Sequence, residues 1–190
     1  MALDASLNAA LQAPAAVAFC ALEIALPSKT IRVLDGAGAV GFDGKVFQGS
    51  DPEFGTLRAI DPLEEQVGTE APRARFTFMP RSNNAKAQIT SPGVQGSEVS
   101  CWFGVVDPAT GLVIGQPELL FIGELDEASV DTDKGTEVII FDVASAWDRF
   151  FEGNEGARQT DNFQQANYPG DRAFQFITGV EEQLHWGFKA

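Results

Sequence analysis

One histidine serves the whole chain: His185, beside Trp186. Histidine is the usual proton carrier near neutral pH. A Ser-His-Asp relay would have to be built around this single ring, and no Gly-x-Ser-x-Gly elbow accompanies it. A surface or interface role therefore fits His185 better than catalysis. A single histidine also excludes the His-Glu-x-x-His zinc pattern.

Paired carboxylates can cleave glycans by acid and base catalysis. The candidates are Asp51 with Glu53, Glu64 with Glu65, and Glu124 with Asp126. With 27 acidic residues among 190, such neighbours arise without any chemical purpose. Glu124 and Asp126 read as one solvated face of a strand. Asp131-x-Asp133-x-Gly135-x-Glu137 faintly resembles a calcium loop, but it lacks a third acidic position and the distant Glu. A hairpin turn accounts for Asp133 and Gly135. Gly36-Ala37-Gly38 lacks the Lys-Ser/Thr and the helix of a phosphate cradle. Cys20 and Cys101 each sit in an apolar run and read as buried thiols. A disulfide between them stays open, because spacing alone does not give their distance. No Cys-x-x-Cys pair points to a metal. No catalytic, cofactor or metal residue is assigned, and no cofactor is expected.

Lys and Arg number 13, so the formal charge is −14. This disfavours nucleic acid gripped through phosphates and an anionic membrane surface. It suits a surface past which DNA must slide without sticking. Phe occurs 15 times and Tyr once, a bias toward rings used for packing. No apolar stretch approaches the ~20 residues of a membrane-spanning helix. Residues 1–14 lack a basic start and carry Asp4, so they do not read as a secretory signal. Synthesis in a cytoplasm follows as the simplest expectation.

The elements that must position these residues are mainly strands. Leu3, Leu7 and Leu11 form one stripe of a short helix that ends before Pro14. Strands are expected over Ala16–Leu26 and Ile31–Leu34. A hairpin should turn at Asp43-Gly44, because a type I′ turn needs positive φ at both central residues. The stretch Gly49–Glu65 reads as loop. Ala74–Met79 alternates as a strand, Asn83–Ile89 fits a helical turn, and Glu98–Val106, Leu119–Val130 and Glu137–Val143 read as strands joined by short turns. Such connections favour antiparallel pairing, so the expected body is an antiparallel β-barrel or sandwich. Three segments follow: a helix 1–15, the β body 16–143, and a tail 144–190. Within the tail, Ala144–Phe151 reads as helix and Glu155–Tyr168 as an extended polar arm. A last helix should be capped by Asp171 and faced by Phe174, Ile177, Val180 and Leu184.

Several segments together carry a resemblance: Ala21-Leu22-Glu23-Ile24, Ile31-Arg32-Val33-Leu34, Gly41 to Gly49, Ile60 to Glu65, Val105-Val106-Asp107 and Phe121 to Asp126. The most specific part is the end: Arg158-x-Thr160-Asp161-x-x-Gln164, Tyr168-Pro169-Gly170-Asp171, Phe174-x-Phe176-Ile177 and Trp186-Gly187. The order of these segments, from about Val17 to Gly187, resembles the distal-tail and hub proteins that close the tail tube of long-tailed bacteriophages and gene transfer agents. Some hub relatives hold an iron–sulfur centre in a C-terminal cysteine cluster. This sequence has no such cysteines, so the resemblance implies a version without the cofactor.

The resemblance implies a virion protein of the tail tip that forms a ring of its own copies, three-fold favoured and six-fold possible. Its neighbours would be the tail tube protein, the tape-measure protein and a central fibre or tip protein, with DNA passing through the lumen and no membrane contact. Trp147, Phe150, Tyr168, Asp171, Phe174, Phe176 and Trp186 are the residues expected at subunit contacts. Ordinary core packing, and a helix cap for Asp171, are the plainer readings of the same residues. Two rival readings remain. One is a receptor- or carbohydrate-binding β module of a tail fibre, which should expose aromatics around a concave face. The other is a cell-wall glycan hydrolase resting on Glu64, Glu65 and Glu124.

Overall fold

The computed structural model describes residues 3–61, 72–91, 93–133, 135–147, 161–172 and 175. The chain divides into two compact units, Met1–Phe151 and Glu152–Ala190. The first begins with helix α1 (Ala5–Leu11) and contains strands β1 (Val17–Ala25), β2 (Thr30–Leu34), β3 (Ala39–Phe42), β4 (Lys45–Gln48), β5 (Thr56–Ile60) and β6 (Arg73–Met79). Helix α2 (Asn83–Ile89) and strands β7 (Glu98–Val106), β8 (Glu118–Asp133) and β9 (Thr136–Ser145) complete it.

All nine strands join in one sheet, in the order β3-β4-β2-β1-β7-β8-β9-β6-β5. The expectation of a mainly β fold holds, but the body is not a closed barrel. Closure would require β3 to pair with β5. Instead, among the described residues, β3 pairs only with β4 and β5 only with β6. The sheet curls until β2 and β5 pack against each other. Pairing is antiparallel throughout except where β4 returns beside β2 in parallel, with Val33 opposite Gln48. The β3–β4 hairpin forces this, because it reverses the chain after β2. Asp43 and Gly44 both take positive φ, 50° and 70°, as the sequence required of a type I′ turn.

The curled sheet wraps one large core. Leu22 and Ile24 from β1, Ile31 and Val33 from β2, and Val99 and Cys101 from β7 line one side. Phe76 and Phe78 from β6 and Ile139, Phe141 and Val143 from β9 line the other. Helix α2 closes an opening of this core with Ala85 and Ile89. Its N-cap Ser82 accepts the Asn84 N–H at 2.9 Å. A second, smaller cluster lies on the opposite face of β1, where Phe19, Ala21, Leu34 and Phe47 pack with Phe42 and Trp102. β1 is therefore covered on both faces, which explains its nearly continuous apolar run.

The stretch 49–65, read from sequence as loop, contains β5. Its signal was hidden by a bulge: Leu57 faces Phe78 and Ala59 faces Thr77, leaving Arg58 as the extra residue. One inserted residue shifts the alternation, so Leu57 and Ile60 stand three apart rather than two. Residues 144 and 145, expected in a helix, belong to β9. Ala144 is paired on both sides, with Arg73 and Glu124, and Ser145 with Gly123. Those ladders hold the chain extended. Ala146 and Trp147 then form a turn, and residues 148–151 lie outside the described residues.

The leucine stripe of α1 is only partly used. Leu7 is fully buried, whereas Leu3 and Leu11 are exposed. Asp4 caps the helix, accepting from Ser6 N–H at 2.9 Å and Leu7 N–H at 3.2 Å.

In the second unit, residues 161–167 form helix α3 (Asp161–Asn167) rather than an extended arm. Polar composition misled the reading here. The Gln165 side chain donates to Asp161 Oδ2 at 2.8 Å, one turn back, a spacing that favours helix. Asp171 does not sit on a described helix. Its backbone N–H donates to Tyr168 O at 3.1 Å and its Oδ2 accepts from Gln164 at 2.7 Å. The helix expected after it lies outside the described residues.

Candidate interaction surfaces

The carboxylates singled out by the sequence are held in structural networks. Asp51 caps a tight turn: Oδ1 accepts from the Glu53 and Phe54 N–H groups at 2.8 and 2.9 Å. Lys29 Nζ donates to both Asp51 oxygens at 2.9–3.0 Å and lies 5.6 Å over the Phe54 ring. Burial alone would raise the Asp51 pKa, but these donors more than offset it and hold the carboxyl below its ordinary range. Glu53 accepts from Asn84 at 2.7 Å and from Gln88, which ties the turn to α2. The donors from Asn84 and Gln88 hold its pKa below the ordinary value. Two carboxylates ionised and bound in this way do not make a general acid and base.

Glu124 and Asp126 do not form a plain solvated pair. A second bulge, between Leu125 and Glu127, makes Asp126 the extra residue of β8. Arg73 donates to it at 2.9 Å. Beside this pair, Arg75 donates to Asp142 at 2.6 Å. Asp61, Arg73, Arg75, Asp126, Glu127 and Asp142 line a broad, open cleft of about 490 Å3. Asp131 and Glu137 flank the β8–β9 hairpin, and Glu137 pairs with Lys86 of α2. Among the described residues no group of three His, Cys, Asp or Glu is placed to hold a metal. Glu64, Glu65 and His185 lie outside the described residues.

The open cysteine question has a geometric answer. Cys20 faces Phe103 and Cys101 faces Leu22 across the β1–β7 ladder, so the two are diagonal neighbours, a separation of roughly 7–8 Å between α-carbons. Both thiols are free. Burial pushes the Cys101 thiol up to about 12, which removes the thiolate that reactivity needs.

A polar cover lies over the outer aromatic cluster. Glu23 accepts from Arg32 at 2.5 Å and from Lys45 at 2.8 Å. Lys45 also stands 5.2 Å over the Trp102 ring. Burial works to raise the Glu23 pKa, but the hydrogen bonds from Lys45 and Arg32 leave it lowered.

Next to this cover the first half of β8 turns apolar side chains to solvent. Leu119, Leu120 and Ile122 are each more than 40% exposed. A bulge opposite Cys101 and Trp102 makes Leu120 the extra residue and sends it out of phase with Phe121. Ala146 N–H donates to Ile122 O at 3.2 Å, which brings the next residue, Trp147, to the same end of the sheet. Trp147 is 64% exposed. Contiguous exposed apolar side chains on a soluble body mark interaction sites. The sequence reading found Trp147 but missed Leu119, Leu120 and Ile122. The signal was available: Leu119, Leu120, Phe121 and Ile122 make four consecutive positions apolar, where strict alternation allows two.

In the second unit, Tyr168 is 65% exposed and Asp171 half-buried. Phe150, Phe174, Phe176 and Trp186, the other expected contact residues, lie outside the described residues. Among the described residues no helix is long and apolar enough to cross a membrane.

These features define a mainly β protein of one open, curled sheet, with networked charges and exposed apolar strands. No protein-family model matches the chain, and no curated protein does. Among solved structures, a chain from the virion of a native gene transfer agent particle has a similar fold. The TM-score is 0.56 at 17% identity, over 83% of this chain and 50% of that one. This chain thus spans half the length of its structural neighbour, and at that identity the likeness is one of fold.

Proposed function

We propose that the protein is a non-catalytic structural component of a phage-like virion, placed at the tail tip as a hub or distal-tail ring. The observation that carries this reading is the fold shared with a chain of a gene transfer agent virion over most of this sequence. The resemblance read from the sequence points the same way. A ring subunit must bury flanks against its own copies and against the layers above and below. The exposed strip of Leu119, Leu120 and Ile122 together with Trp147, and the second unit's Tyr168, supply surface of the needed kind. The charge of −14 suits a lumen through which DNA passes without binding.

On this reading the chain assembles with itself, three-fold in a hub or six-fold in a distal ring. It joins the tube and tape-measure proteins to the central fibre or tip protein. Mass photometry of the purified chain at increasing concentration tests it. A trimer or hexamer, and density for the chain at the end of the tube in a map of the parent particle, are the expected results. A monomer at every concentration, together with absence of the chain from purified virions, would end the reading.

A further inference from the structure

Strand β8 changes its neighbours half-way along. From Glu118 to Glu124 it pairs with β7, and from Gly123 to Asp133 with β9. The loop before β7 makes the last bonds on the β7 side: Leu125 N–H donates to Ser97 O at 2.8 Å, and Gly96 N–H to Leu125 O at 2.7 Å. Beyond that point, among the described residues, no strand runs beside 127–132 on this side.

The direction of the free backbone groups follows from the ladder. Asp133 faces Thr136 across two residues, so the two form a hydrogen-bonded pair, and antiparallel ladders alternate. Ser129 and Asp131 therefore bond toward β9, while Ala128, Val130 and Thr132 direct their N–H and C=O groups outward. The Thr132 N–H is met by its neighbour's carboxylate, Asp131 Oδ1, at 2.6 Å, as expected where no strand faces it.

The side chains along this edge have two characters. Val130 stands opposite Ile139, which is fully buried, yet Val130 itself is 44% exposed. It lies on the core side of the sheet, at an edge beside which no strand runs among the described residues. Glu127 and Asp131 stand on the other face, both exposed.

We propose that residues 127–132 of β8 are a docking edge for an extended segment of another protein, added as one more strand. Its apolar side chains would lie beside Val130, and its Lys or Arg side chains beside Glu127 and Asp131. Strand addition takes affinity from main-chain hydrogen bonds and specificity from alternate side chains. A second copy pairing through the same edge would set the acidic residues of both chains against each other, which opposes it. The basic strand is therefore the occupant that the charges select. This inference stands apart from the tail-tip reading and does not need it.

The test uses the full chain and two ten-residue peptides, one alternating lysine and valine, the other glutamate and valine. The lysine peptide should bind about tenfold more tightly or better, and the Ala128 and Val130 amides should gain protection from hydrogen exchange. Val130→Pro removes an outward N–H and should weaken binding about tenfold while leaving the β9 ladder whole. Glu127→Lys keeps the backbone edge intact and should shift preference toward the glutamate peptide, which covers the case in which the proline variant does not fold. No binding of the lysine peptide overturns the proposal. So does binding without protection at Ala128 and Val130, or a peptide preference unchanged by Glu127→Lys.

Discussion

The two faces of β1 carry two apolar clusters that are built differently. On one face the curled sheet surrounds Leu22 and Ile24 with side chains from β2, β6, β7, β8 and β9. On the other, Phe19 and Ala21 are covered by one short hairpin, β3–β4, whose Phe42 and Phe47 rings stack at 4.7 Å and meet Trp102 edge-on at 5.8 and 5.7 Å. The first cluster is closed by strands that depend on one another. The second is closed by a lid of eight strand residues, pinned by the Glu23–Arg32–Lys45 network. The large core should therefore govern global stability, and the outer cluster should open locally at lower cost.

The largest effect should come from the large core. Phe141 is fully buried and packs edge-on against Phe78 with centroids 5.4 Å apart. Phe141→Ala should lower global stability by about 3–5 kcal/mol in denaturant unfolding. A loss under about 1 kcal/mol would mean that the core collapses around the gap and the contrast fails.

Phe47→Ala removes an equally buried ring from the outer cluster. It should cost about 3 kcal/mol, and hydrogen exchange should quicken first at Val40–Phe47 while the amides in the β6–β9 ladder stay protected. Uniform loss of protection would show one cooperative core instead of two.

A smaller change probes how tightly the outer cluster is packed. A β-carbon at Gly104 would lie 2.5 Å from the Phe19 ring, so Gly104→Ala must push that ring aside. The expected cost is about 1–3 kcal/mol, with altered Trp102 fluorescence as the local signature.

The charged cover predicts a pH dependence. The Glu23 carboxyl titrates below its ordinary value near 4.5 when folded. Its contribution is thus complete above that pH and is lost as pH falls toward the lower folded value. Glu23→Gln should cost about 1–2 kcal/mol at neutral pH and flatten the acid loss of stability below pH 4.5. Equal acid slopes in both proteins would show that Glu23 does not pin the hairpin.

Last, Arg73→Ala breaks an ion pair whose Arg side chain is 61% exposed. It should change stability by less than about 1 kcal/mol. A larger loss in thermal unfolding would make this ion pair part of what ties β6 to β8 across β9.

Much of the sheet was legible before any coordinates. Glu98–Val106 is an apolar-rich run closed by the turn residues Asp107 and Pro108, so its strand was readable to the residue. Asp43-Gly44 announced its turn because few residue pairs accept positive φ twice. Where the sheet departs from a plain strand rhythm, a bulge or a ladder intervenes: Arg58 and Leu120 each break the two-residue spacing, and Ala144 looks helical because only pairing on both sides holds it extended. Of the contact surface, Trp147 and Tyr168 were found by residue type. The strip of Leu119, Leu120 and Ile122 was read as ordinary strand, because sequence does not say which face of a strand a neighbour will cover.

What the sequence determined by itself was local: strand rhythm, turn chemistry, the scarcity of proton-carrying groups and the acidic balance. These follow from backbone sterics and side-chain chemistry that act over a few residues. The tertiary structure alone decided which strand lies beside which. Among the described residues it left β3, β5 and half of β8 as sheet edges, and it brought Lys29 to Asp51 and Lys45 to Glu23. Such contacts join residues far apart in the chain. Whether they form depends on how the sheet curls to bury its core, a collective outcome that no short stretch of sequence encodes.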